Sequence, residues 1–174
     1  MKFNFFKSNK NNLNQNRKKE VDNLEFTQHE LKEYDKNVNF YYTNLINSLI
    51  LYTYNEKELD KMAPILIDPL TELYEELDYA FTPILFKTVL KNNLIDNQLK
   101  DILLEFKTKV DNIPNEIWDW KFLDNNEIWL SIRREACQIL NKLEVKSRTY
   151  NTDYTKTISN KGEIIFKGHK IKNR

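Results

Sequence analysis

The sequence predicts a mainly α fold, a compact antiparallel helical bundle with a short C-terminal β-hairpin. Apolar residues recur at the three-to-four spacing of a helical face through most of the chain. Only two glycines and four prolines occur in 174 residues, which leaves few places for the loop chemistry of an open α/β enzyme. Beyond Glu144 the period changes, and two short apolar stretches flank a glycine-containing turn at 159–162. With 40% hydrophobic, 13% aromatic and 30% charged residues, a chain of 174 is enough for one domain and too short for two large ones.

Residues 1–25 read as a flexible basic leader, since their charges and amides accompany no apolar repeat. The leader lacks the continuous apolar core of a signal peptide, and no apolar run in the chain reaches the roughly 20 residues needed to cross a bilayer. Phe3, Phe5 and Phe6 beside Lys2 and Lys7 leave a short membrane-touching patch open at this stage. A single helical domain with its hairpin is expected over residues 26–170, followed by a frayed 171–174.

The stretch Thr27–Tyr54 looks like the axis, with Leu31, Tyr34, Val38, Tyr41, Leu45, Leu49 and Tyr52 on one face. Thr27 and Glu30 form a capping-box pattern, and Phe26 with Leu31 a hydrophobic staple. The polar run Asp35–Asn39 allows either one helix or two meeting near Lys36. Asn55–Leu59 starts a further turn, and Met62, Ile65, Leu66 and Ile67 are expected in the core. Asp68-Pro69 is a restart signal: the carboxylate caps, and proline at the first helical position loses no useful donor. Leu70, Leu73, Leu77 and Phe81 continue its buried face, and Thr82-Pro83 repeats the device before Ile84, Leu85, Val89 and Leu90. Asp96 caps a helix carrying Leu99, Ile102, Leu103, Phe106 and Val110. Glu116–Phe122 reads as a short helix or compact loop packed over the bundle. The last helix is expected near Asp124, with Glu127 completing a capping box and Leu123 stapled to Ile128. Ile132, Ala136, Ile139 and Leu143 form its inward face. Tyr154–Ile158 and Glu163–Lys167 read as the two strands, with Ile158, Ile165 or Phe166 resting on the helices.

Chemistry-bearing patterns are sparse. Cys137 is the only cysteine, which excludes an intrachain disulfide and favours a cytoplasmic setting. It sits in an apolar-periodic helix, and only His29 and His169 could serve it as bases, so a packed thiol is the better reading. No paired cysteines, HExxH, Glu-x-x-His pair or glycine-rich phosphate loop occurs, so no metal, cofactor or enzymatic activity is expected. An enzyme would have to work through Glu72, Glu75 and Glu76, as a general acid or by holding a hydrated magnesium ion.

Charge is informative by region. Residues 1–19 carry six Lys or Arg and no acid, and residues 145–174 carry eight against two acids. The formal total of +1 therefore leaves residues 20–144 at −11. An acidic body between basic ends can steer a basic partner. The segment around Trp118, Trp120 and Trp129 offers the large rings from which interface hot spots are made, with Glu116, Asp119, Asp124 and Glu127 as an acidic rim. Core packing and helix capping compete for these same residues. The alternative is RNA or single-stranded DNA binding by the basic tail, where Arg148, Lys156, Lys161, Lys167 and Lys170 are interleaved with Tyr150 and Tyr154.

Ile117-Trp118-Asp119-Trp120, followed by Leu123, Asp124 and Trp129-Leu130-Ser131-Ile132-Arg133, resembles small bacterial immunity proteins that neutralise toxins. The resemblance spans about residues 113–167 and implies a small cytoplasmic protein without cofactor, often acidic where it meets a basic toxin domain. The basic ends depart from that pattern. The expectation is a stoichiometric protein-binding module.

Overall fold

The computed structural model describes residues 28–152, 156–158 and 164–167. The expected leader, the Thr27 cap, the Phe26 staple and the frayed terminus lie outside the described residues. The helices are α1 (Gln28–Lys36), α2 (Val38–Leu51), α3 (Glu56–Asp60), α4 (Pro69–Ala80), α5 (Pro83–Lys91), α6 (Lys100–Asp111) and α7 (Glu127–Lys142). Short 3-10 turns occupy Asn97–Leu99, Asn115–Ile117 and Trp120–Phe122. The fold is mainly helical. Strands β1 (Lys156–Ile158) and β2 (Ile164–Lys167) pair antiparallel, Lys156 opposite Lys167, with a register irregularity after Thr157.

The expected axis breaks at Asn37, and its second half holds the body together. In α2 every residue from Leu45 to Leu51 is buried, because α4, α5 and α7 pack around it. Val38 and Tyr41 are only partly covered, and α1 lies at the periphery against α2 and α5. One cluster joins Leu45, Leu49 and Tyr52 of the axis to Leu73 and Leu77 of α4, Val89 of α5, Phe106 and Val110 of α6, and Ile132, Ala136 and Leu140 of α7. Burying such side chains stabilises by about 1.5–3 kcal/mol each, offset by the entropy of ordering the chain.

Local chemistry sets the element boundaries. Asn55 and Glu58 form a reciprocal capping box on α3. Asp68 accepts from the Thr71 hydroxyl at 2.7 Å and its own N–H donates to Glu72 at 3.0 Å, with Pro69 opening α4. Pro83 opens α5 as expected, whereas Thr82 makes no side-chain cap. Asn93 and Glu144 close α5 and α7 at φ 55° and 58°, and the following amides of Leu94 and Val145 reach back to Val89 and Leu140. This is the left-handed helix stop, which costs Glu144 about 1 kcal/mol relative to glycine.

Two further expectations are corrected. The cap of α7 is Asn126, which accepts from Ile128 N–H at 2.9 Å, and the Asp124/Glu127 box does not form. Asn126 stands immediately before the first helical residue, and Asp124 is drawn away to Arg133, at 2.7 Å. Ile65 and Ile67 are not core: they are 45% and 96% exposed, while Met62 and Leu66 between them turn inward.

Candidate protein-binding surface

The aromatic segment is built on Trp129. Its ring is buried in α7, and its indole N–H donates to Ile117 O at 2.8 Å, which fixes the preceding turns. Trp118 stands edge-on to Trp129 at 4.8 Å and edge-on to Tyr74 of α4 at 6.0 Å. Tyr52 stacks on Trp129 at 6.4 Å and meets Phe106 edge-on at 5.6 Å. Trp118 and Trp120 are thus half-buried against the core, and each offers a partner only part of its ring area.

The intended acidic rim divides. Asp119 caps the Trp120–Phe122 turn through Lys121 N–H and pairs with the Lys121 ammonium at 3.2 Å. The Lys121 amide, and then its side chain, hold the Asp119 carboxyl below the usual range. Asp124 accepts from Arg133 and from Glu56 N–H, while Arg133 also donates to Tyr54 O and Leu123 O at 3.1 Å. Asp124 therefore ties α7 to the entry of α3. Glu127 is 87% exposed, with Arg134 at 3.9 Å, and Glu116 is exposed with no ion pair among the described residues.

The tail residues are also divided. Arg148 donates to Val145 O, Ser147 O, Cys137 O and Asn141, so its guanidinium is engaged with α7 and the segment after it. Tyr150 is half-buried against the core, and its N–H donates to the Tyr54 hydroxyl at 2.9 Å. Burial first, then the charges of Glu76 and Glu72, push the Tyr150 phenol up. Next to it, the buried Asn47 amide clasps the backbone of Asn151 at both ends, at 2.9 and 3.0 Å. Lys156 and Lys167 are register partners, and Tyr154, Lys161 and Lys170 lie outside the described residues.

The outer face of α4 carries acids that no cation among the described residues pairs with. Asp78 is neutralised by Lys107, a cation buried in α6 that also pairs with Asp111 and lies 5.1 Å from the Tyr74 ring centre. Glu72 accepts from Asp68 N–H, but among the described residues no cation pairs with Glu72, Glu75 or Glu76. Glu76 is half-buried, and burial followed by repulsion from Glu72 and Glu75 raises its carboxyl above the usual range. Tyr79 beside it is raised by burial and then by the Glu76 charge. Among the described residues no group of three His, Cys, Asp or Glu side chains is placed to hold a metal ion, so these glutamates do not converge as ligands. Cys137 is half-buried.

Between α6 and α7 lies an open groove of about 360 Å³ with Ile102 and Ile139 at its base. Its walls mix Glu105, Lys109, Arg134, Glu135 and Lys142, and the Lys109–Glu135 pair at 2.8 Å bridges them. Among the described residues no helix is long and apolar enough to cross a membrane.

The roles of Arg133 and Asn47 depend on partners distant in the chain, as does the Lys107–Asp78 pair, and no local spacing announces them; the Lys107–Asp111 pair has the i,i+4 spacing of a helix. Compared with protein-family models, curated proteins and solved structures, the chain matches none of them.

Proposed function

We propose that this protein is a stoichiometric binding module for a basic protein, acting in the cytoplasm as an immunity protein acts on a toxin domain. The observation that supports this most is Glu76, a half-buried carboxylate that the fold surrounds with like charge and supplies with no cation among the described residues. An unpaired, partly desolvated carboxylate costs stability, and a Lys or Arg from a partner removes that cost. The charge of −11 over residues 20–144 extends the same complementarity to long range. Trp118 and Trp120 supply contact area at the margin of this body, together with Glu116 and Glu127. The β1–β2 pair is read as a hairpin closing on the bundle, and it is secondary to this function. Nucleic-acid binding by the tail is less well supported, since Arg148 and Tyr150 are engaged in the fold.

Affinity purification from the native host, with identification of the bound proteins, tests the reading. A reproducible one-to-one complex with a basic protein is expected, weakened when Glu72, Glu75 and Glu76 are changed together to Gln. Recovery of no protein partner would overturn it.

A further inference from the structure

The reading above names a partner chemistry but not the point of contact that gives it affinity, and the loop between α3 and α4 supplies one. Ile67 is 96% exposed, far more than any other large apolar side chain in the described body, and Ile65 is 45% exposed. Isolated exposed apolar residues are ordinary. Here, however, the chain displays two of them on a frame that it holds firmly. Met62 and Leu66 are buried to 7% and 3%, and the amides of Ile65 and Leu66 both donate to Met62 O at 2.7 Å. On the far side, Asp68 is locked to Thr71 and Glu72 by the cap of α4. The tip is thus fixed between two anchored turns, and burying it against a partner costs little conformational entropy.

Its surroundings specify the partner. On the chain before the tip α3 carries Glu56, Glu58 and Asp60 with Lys57, followed by Lys61, and after it Asp68 and the first two turns of α4 carry Glu72, Glu75 and Glu76. An apolar centre with a charged rim is the usual anatomy of a binding hot spot. Resting on the protein-binding reading, we propose that Ile67, supported by Ile65, is the apolar anchor of the interface and enters a pocket on a basic protein. The acids of α3 and α4 face the Lys and Arg residues around that pocket.

The test places a photoreactive benzophenone amino acid at position 67 of the full chain, and in a separate preparation at position 128, where Ile128 on α7 is 42% exposed. Both proteins are irradiated in the native host, and the adducts are identified by mass spectrometry. The expected result is an adduct from position 67 with a basic protein. The purified complex of the two should then be weakened at least about 30-fold by Ile67→Asp, the factor that marks a hot spot, with the melting temperature unchanged. Adducts from position 128 alone would overturn the anchor while leaving the protein-binding reading intact. So would adducts from position 67 only with lipid, an acidic protein or a second copy, or an Ile67→Asp variant of unchanged affinity. No protein adduct from either position, together with no partner in the purification, would remove both.

Discussion

Replacing Arg133 should show whether Asp124 belongs to the fold or to an interface. The guanidinium donates to Tyr54 O and Leu123 O at 3.1 Å and to Asp124 at 2.7 Å, which joins α7, the end of the axis and the entry of α3. Arg133→Met keeps the packing of the stem and removes all three bonds. Hydrogen bonds to charged groups contribute about 1.5–3 kcal/mol each, and the exposures of 21% for Arg133 and 35% for Asp124 let water recover part of that. The net expected loss is about 2–4 kcal/mol, or a urea midpoint lowered by roughly 1–2 M at the slope usual for small proteins. Arg133→Lys should recover less than half of it, since one ammonium cannot reproduce the fork. Asp124→Asn should destabilise as well, and the double variant with Arg133→Met should show a coupling of at least about 1 kcal/mol. Equilibrium urea unfolding measures all of these. A loss below about 0.5 kcal/mol for Arg133→Met, or strictly additive effects, would refute the structural role and return Asp124 to the acidic rim.

Asn47→Ala should cost about 1–3 kcal/mol, because both backbone groups of Asn151 lose their buried partner, and hydrogen exchange at the Asn151 amide should rise to that of an open segment. The Tyr52 hydroxyl is buried without a hydrogen-bond partner among the described residues, so Tyr52→Phe should leave thermal stability unchanged or raise it by about 1 kcal/mol. Glu76 is raised in the folded state by burial and then by Glu72 and Glu75, so between its ordinary and its folded value the native state binds more protons than the unfolded one. Stability from this group therefore falls as pH rises through that interval and stays reduced above it. Glu76→Gln should be the more stable protein at neutral pH, and unfolding at a series of pH values should show the difference closing on acidification.

Features set by neighbours in sequence were legible without the structure. Asp68-Pro69 carries its own donor, acceptor and fixed dihedral, and the chain restarts there as read. The polar run Asp35–Asn39 left one helix or two open, and the chain breaks within it at Asn37. Asp124 shows where this reasoning stops: its spacing to Glu127 satisfies the capping pattern, yet Asn126 lies closer to the helix and Arg133 claims the carboxylate. Arg148 is drawn in by the end of α7 close before it, while Tyr150 and Asn151 are held by Tyr54 and Asn47, which lie far from the tail in sequence. Ile65 and Ile67 read as core because periodicity counts apolar residues and not the direction in which a turn presents them. The aromatic segment read as a short helix or compact loop over the bundle and forms short 3-10 turns, while the contact of Trp118 with Tyr74 required α4 to lie beside it.

The central claim is that the unpaired acids of α4 receive a basic protein, and stopped-flow association with the purified partner tests it most directly. The unmodified protein should associate more slowly as salt rises, and the Glu72→Gln, Glu75→Gln, Glu76→Gln triple variant should associate more slowly at low salt, with a flatter salt dependence, and dissociate faster through loss of the Glu76 pair. Identical salt dependence in the two proteins would contradict the account.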